Sequence, residues 1–301
     1  MYDIIVIGGG PAGLSAALYG LRNGKKVLVV ERSVFGGQIC NSPKVENIPG
    51  FTAISGDEFA DRFLDQVLDQ GGEVMLEEAT EVKNNAGIIR VKLANGQLLE
   101  GKTLIIASGA RHRTLGLENE EELIGQSISF CAVCDGNLYK NKTVVMVGGG
   151  NSALVEANLL AEIVDKLIIL QDKPVLTADQ KLIDALYTHN NVEVHTSVKV
   201  KEYVLKEKQL SGVAYEENGE AKIVECAGVF LAVGLIPNGE LFKELADLDR
   251  FGYIKADESC QGKDDNVFVA GDVRTKTLRQ VTTACADGAI AAIRAVEYLN
   301  R

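Results

Sequence analysis

This chain of 301 residues has no apolar run approaching the roughly 18 residues that a membrane-crossing helix requires. Positive charge is the minority sign: 31 Lys and Arg stand against 42 Asp and Glu, for a net charge of -11. That balance argues against a nucleic-acid surface, although a local basic patch could still serve an acidic carrier protein. The opening residues MYDIIVIGGG contain no basic leader and no cleavage site, so the chain is expected to begin directly in structure and to be cytoplasmic. Metal ligands are scarce. His112, His189 and His195 are never spaced as a ligand pair, and Cys40, Cys226, Cys260 and Cys285 stand singly. No metal is expected.

What remains is ordinary globular composition, 46% hydrophobic and 24% charged, with length for about two domains. Within it, CAVCDG at 131 to 136 sets two thiols and a carboxylate in one short turn. A Cys-x-x-Cys pair can close into a reducible disulfide, and Asp135 beside Cys134 can donate or accept a proton. Two plainer readings compete. The pair supplies only half of a zinc site, and the other half is not visible. Two buried core cysteines are the second alternative, but the following Asp-Gly is turn chemistry. Thiol-disulfide exchange is therefore the leading reading, and the location favours a catalytic pair over a structural one.

Two glycine fingerprints lie 140 residues apart. Gly8, Gly10 and Gly13 have G-x-G-x-x-G spacing, with the apolar run Ile4 to Ile7 before them and a helical stretch after. The first glycine permits a tight turn, the second lets backbone approach a pyrophosphate, and the third allows helix to pack on strand. The helix N-terminus then offers its unpaired N-H groups to the phosphates. Glu31, 23 residues beyond Gly8, can accept ribose hydroxyls. The pattern recurs with Gly148, Gly150 and Ala153, and Gln171 lies 23 residues beyond Gly148. Two such units predict two nucleotide sites, unless the second keeps the fold and has lost the ligand. Strands at 103 to 113 and 266 to 273 and an alanine-rich helix from Val281 to Leu299 return the chain to its first domain. The expected fold class is therefore α/β, with two Rossmann-like dinucleotide-binding domains, the second inserted into the first. The expected boundaries are 1-114 with 245-301, and 115-244. Residues 196 to 225 read as alternating strands without chemistry.

The segments GGGPAGLSAALY, GGQICNSPKVENIPGF, SGA, CAVCDG, GGGNSA and VFVAGDVRTKTLRQVTTACADGAIAA, in this order over the whole chain, resemble the low-molecular-weight thioredoxin reductases, an FAD-dependent disulfide oxidoreductase family. The resemblance implies FAD in the first domain, a nicotinamide site and the redox disulfide in the second, and a homodimer. It implies that Gly8, Gly10, Pro11, Ala12, Gly13 and Glu31 hold the adenosine diphosphate part of FAD. Gly37, Gln38 and Asn47 would lie in the segment approaching the flavin, joined by Ser108 and Gly109. Asp272 would meet the ribitol, and Arg279 and Gln280 would border the ring system; loop capping is the plainer reading of Asn47 and Gln280. Cys134 would face the flavin, Cys131 would attack the disulfide of a thioredoxin-like protein, and Asp135 would manage the proton or serve only as a turn residue. The family also implies rotation of the inserted domain, with the crossings near 114 and 244 as hinges.

The nicotinamide site departs from the family. Gly148, Gly150, Asn151, Ser152 and Ala153 keep its first half, but the usual His-Arg-Arg and further Arg are replaced within LQDKPVLTADQ by Gln171, Asp172, Lys173 and Thr177. One cation remains. Charge-assisted bonds contribute about 1.5 to 3 kcal/mol each, so losing two weakens NADPH binding by roughly two to four powers of ten. Asp172 beside Gln171 could accept a free ribose 2'-hydroxyl. The expectation is NADH over NADPH, with ferredoxin or another non-nicotinamide donor as the alternative, since Val155 stands where the family usually has Glu. Reduction of a peroxiredoxin is a second enzymatic reading, ranked low because those relatives carry an added N-terminal region. A flavin redox sensor is the reading from another class.

Overall fold

The computed structural model describes residues 1–42 and 44–301; Pro43, within the GGQICNSPKVENIPGF segment, lies outside them. The chain divides into two compact units, Met1–Arg111 with Ile236–Arg301, and His112–Leu235. Both are Rossmann-like, and the second is an insertion in the first. Residues 236 to 244, expected in the insertion, belong to the first unit. The reason is packing, because Phe242 is fully buried in one apolar cluster with Ile5, Leu28 and Leu104.

In the first unit, β1 (Tyr2–Ile7) leads through the glycine turn into α1 (Pro11–Arg22) and then β2 (Val27–Glu31). β1 pairs in parallel with β2 on one side and with the strand Leu98–Ile106 on the other. The sheet continues from β2 to Glu73–Leu76, and beyond Leu98–Ile106 through the antiparallel strands Ile88–Leu93 and Ala79–Asn85. Val267–Val269 adds in parallel to the last residues of Leu98–Ile106. Side chains of β1 alternate between two cores, as strand geometry dictates. Ile4 and Val6 meet α1 and the C-terminal helix Val281–Leu299, while Ile5 and Ile7 meet the other face. Both faces are covered, so the strand reads as a continuous apolar run. Gly288 lets the C-terminal helix touch α1, since a Cβ there would lie 2.1 Å from the Ala12 carbonyl oxygen.

The second unit repeats the plan. A short helix α2 (Ala132–Asp135) precedes β3 (Thr143–Val147), α3 (Asn151–Ala161) and β4 (Lys166–Leu170). The parallel sheet runs Val192–His195, β4, β3, Gly228–Leu231, Ile128–Ser129. α3 covers one face with Leu154, Ala157 and Leu160 against Val144, Met146 and Phe230. The other face is covered by an antiparallel sheet of Val198–Lys206, Gln209–Glu217 and Glu220–Glu225, which is the segment the sequence marked as strands without chemistry. Among the described residues, no helix is long and apolar enough to cross a membrane.

Candidate active site

The first glycine turn is built as the spacing requires. Gly8 has φ +110°, and a Cβ there would lie 2.2 Å from the Ala107 carbonyl oxygen; at Gly13 it would lie 1.8 Å from that of Gly8. Gly10 differs. Its φ is -75°, open to any residue, and the nearest protein atom to a Cβ there is 3.8 Å away. Protein packing does not demand this glycine, whereas close approach of a ligand would. Pro11 opens α1, where a missing N-H costs nothing, and buried Ala12 follows it. Glu31 is buried at the end of β2, and its carboxylate accepts from Gly9 N at 2.7 Å and Ser33 N at 2.9 Å.

Around the same strand ends, Ser108 Oγ donates to Asn238 O at 2.8 Å and Asn238 Nδ2 returns a bond to Ser108 O at 2.8 Å, fixing the turn in which Gly109 has φ +66°. Gly37, at φ +62°, starts the short helix carrying Gln38, whose Nε2 donates to Ala110 O. Asn47 Nδ2 donates to Gln280 Oε1 at 3.1 Å. Gln280 caps the C-terminal helix through a reciprocal pair with Thr283, so the capping alternative describes its side chain here. Arg279 lies over the Tyr253 ring at 4.2 Å and donates to the backbone oxygens of Asp272, Arg274 and Lys276. Asp272 is half-buried, its buried Oδ1 has no hydrogen-bond partner among the described residues, and burial raises its carboxyl above the ordinary value.

Sequence reasoning missed what holds Asp272 in place. Asp287 accepts from Gly271 N at 2.9 Å, Arg274 at 2.8 Å and Lys276 Nζ at 2.9 Å, a buried cluster that ties the Asp272 loop to the C-terminal helix. The signal was present, since GDVRTK places two cations just beyond the strand and ADG places a carboxylate inside an alanine-rich helix.

The second glycine turn matches the first in detail. Gly148 has φ +123°, and a Cβ there would lie 2.5 Å from Ala232 O. Gly148 N bonds Leu170 O at 3.0 Å as Gly8 N bonds Val30 O at 2.8 Å, and Thr177 N bonds Gly149 O at 2.7 Å as Gly36 N bonds Gly9 O at 2.8 Å. Gly150 repeats Gly10, with φ -91° and 3.8 Å of clearance to Thr177 Oγ1. Asn151 Oδ1 accepts from Asp179 N at 2.7 Å; Ser152 is exposed and Ala153 is buried. Gln171 is buried at the end of β4, donating to Val175 O at 3.4 Å, and Asp172 is exposed beside it.

In the same unit Cys131 and Cys134 are joined by a disulfide, with Cα atoms 5.3 Å apart. Cys131 caps α2, accepting from Cys134 N through its sulfur at 3.2 Å. Ser129 Oγ donates to Asp135 Oδ2 at 2.6 Å and accepts from Cys131 N at 3.1 Å. Asp135 Oδ1 is buried without a partner among the described residues, and burial raises this carboxyl despite the Ser129 bond. Glu156, on α3, accepts from Ala132 N at 3.0 Å, and burial pushes its carboxyl up to about 7. Ser129 and Glu156 were not singled out by the sequence reading. Neither has a local signature, because each reaches the turn from a separate element. Among the described residues no cluster of His, Cys, Asp and Glu could hold a metal ion.

The pyridine nucleotide-disulphide oxidoreductase family model matches residues 2–288. The chain belongs to this family. As a member it is an FAD-dependent disulfide oxidoreductase. It is 39% identical over 302 residues to the thioredoxin reductase of Listeria monocytogenes, covering 100% of this chain and 94% of that one. The crystal structure of thioredoxin reductase from Streptococcus pyogenes superposes with a TM-score of 0.92 at 35% identity, covering 100% of this chain and 98% of that one. For thioredoxin reductase from Giardia duodenalis the TM-score is 0.91 at 28% identity, with 100% and 99% covered.

The residues present fit the family's FAD. A ligand explains why Gly10 is glycine where the protein leaves room for a side chain. A hydroxyl donor explains why Asp272 keeps a buried acceptor oxygen without a partner among the described residues.

Proposed function

We propose that this enzyme is a thioredoxin-disulfide reductase. The carrying observation is the Cys131–Cys134 disulfide in a turn backed by the buried carboxyl of Asp135, on a chain whose relatives over full length include thioredoxin reductases. In this reading the first unit holds FAD through Gly8, Gly10, Gly13, Glu31 and Asp272, and FAD supplies the two-electron carrier between reductant and disulfide. The second unit carries the disulfide and the nicotinamide site. Cys131 attacks the partner's disulfide as a thiolate, Cys134 releases it by closing the internal disulfide, and Asp135 manages the proton of that exchange. A homodimer, as the resemblance implies, and the cytoplasmic location expected from the sequence complete this reading. The test is a Cys131→Ser variant, which should keep bound flavin and lose turnover with thioredoxin. Retained turnover would reverse the order of the thiols.

The electron donor in this proposal is NADH. The backbone of the second cradle matches the first, which supports a working nucleotide site. Past β4 the stretch Gln171 to Gln180 contains one cation, Lys173, and Asp172 is exposed where a 2'-phosphate would need positive charge. A non-nicotinamide donor such as ferredoxin is the second reading, favoured by the exposed apolar Val155 on α3. Anaerobic titration with NADH, NADPH and reduced ferredoxin, followed by flavin absorbance, separates them. Rapid bleaching by NADPH at low concentration would overturn both.

A further inference from the structure

Glu156 stands outside every motif that marked the site, yet its carboxylate reaches the redox turn. It projects from α3, the helix that begins at the second glycine turn, and takes the N-H of Ala132, the residue following Cys131, at 3.0 Å. We infer that Glu156 positions the redox turn and takes up one of the protons that accompany reduction of the Cys131–Cys134 disulfide.

The charge balance gives such a group a role. Two electrons from the enzyme's reductant break the S–S bond and leave two thiolates in a turn that already holds Asp135 and Glu156. Two protons from solvent then restore the balance, one forming a thiol and one converting the Glu156 carboxylate to a carboxyl, so that a single thiolate remains. Reduction thus leaves the local charge where it began, at two negative units with Asp135 counted. A carboxylate beside a developing thiolate gains proton affinity, since like charges disfavour each other in a poorly solvated site. Glu156 already stands high with the disulfide closed, raised first by burial and further by Asp135, against the lowering Ala132 bond. The hydrogen bond survives protonation, because the carboxyl keeps an acceptor oxygen for Ala132 N.

The titratable neighbours are few. From α2 they are Asp135 and the two cysteines, and from the turn after it Tyr139, which burial pushes up to about 12 and which therefore stays neutral. The elements packed beneath α3 present apolar groups: Leu182 and Ile183 from the helix Gln180–Leu186, Val144 and Met146 from β3, and Leu167 and Ile169 from β4.

The test uses the flavin-loaded enzyme equilibrated anaerobically in dithiothreitol buffers from about pH 7 to 8.5, with the Cys131–Cys134 couple read by thiol alkylation and mass spectrometry. Glu156→Gln keeps an acceptor for Ala132 N and removes the proton site. At a fixed electron potential its ratio of dithiol to disulfide should fall with pH less steeply than the wild type's, by about one factor of ten per pH unit. Retained flavin absorbance confirms that the variant is folded. Equal slopes for variant and wild type would overturn the inference, and so would flattening in Asp135→Asn but not in Glu156→Gln, which would assign the proton to Asp135. Because the readout is the thiol equilibrium, it is independent of which protein disulfide the enzyme reduces.

Discussion

Arg274 and Asp287 form a two-point ion pair, with the guanidinium Nε and Nη2 each 2.8 Å from a carboxylate oxygen. Both side chains are buried, and such planar pairs are the strong class of charged hydrogen bond. Burial alone would raise the Asp287 carboxyl, but the bonds from Arg274 and Lys276 hold it below its ordinary value. Asp287→Ala would leave two buried cations without their carboxylate and free Gly271 N. The expected loss is about 3 to 5 kcal/mol of stability, the usual cost of breaking a buried pair from one side. Urea unfolding of the variant should show a lowered midpoint together with flavin release, since the same cluster anchors the Asp272 loop. An unchanged midpoint would mean that the cluster is incidental to the fold.

Gly10 and Gly150 allow the two nucleotide cradles to be tested separately. At either position alanine meets no protein atom within 3.8 Å and needs no unusual backbone angle, so both variants should fold normally. Gly10→Ala should be purified with little flavin, because the new methyl occupies the pyrophosphate approach. Gly150→Ala should keep its flavin and lose reduction by NADH at least tenfold in apparent affinity. Gly13→Ala is the contrasting control: its Cβ would lie 1.8 Å from Gly8 O, so that variant should not fold. If Gly150→Ala leaves the rate of flavin reduction unchanged, the donor does not bind at the second cradle.

The division between what was legible and what was not follows the range of the interactions. Glycine turns are local in their backbone: Gly8 and Gly148 take a positive φ and Gly13 packs on the oxygen of Gly8 in the same turn, so spacing alone located both glycine turns. The Cys131–Cys134 pair and the capping role of Gln280 are local as well. Glu156 to Ala132, Asp287 to Arg274 and Ser108 to Asn238 join residues 24, 13 and 130 positions apart, and nothing near either partner announces the other. The expected crossing at 244 failed for the same reason, because the burial of Phe242 against Ile5 is a tertiary fact.

Asp135 should matter to the proton and little to the fold. Its carboxylate is held by Ser129 Oγ at 2.6 Å, and its other oxygen is buried without a partner among the described residues. Asp135→Asn removes the titrating group while preserving shape, and loss of a positioned acid-base group ordinarily lowers rate by about 10²- to 10⁴-fold. Turnover with thioredoxin should fall within that range while flavin content and unfolding midpoint stay near the wild type. Ser129→Ala should act more mildly, since the raised carboxyl would rise further once the hydrogen bond that lowers it is gone. A Asp135→Asn variant of full activity would leave Asp135 as a turn residue only.

His112 gives the molecule a defined weakness in acid. Its ring stacks on Phe130 with centroids 4.2 Å apart, and burial lowers its pKa from 6.5 to about 4. An unfolded chain would protonate this histidine near pH 6.5, whereas the folded one resists until about pH 4. The unfolded state therefore binds more protons between those values, and stability falls as pH is lowered through the window. The contribution is complete above pH 6.5 and is largely lost by pH 4.5, where the loss amounts to about 2.5 kcal/mol at 1.36 kcal/mol per unit. His112→Phe keeps an aromatic ring to stack on Phe130 and removes the titration. Urea midpoints measured at intervals from pH 7 to pH 4.5 should decline less for the variant than for the wild type, by about that amount. Parallel declines would show that His112 is protonated in the folded chain well above pH 4, with its charge accommodated beside Phe130.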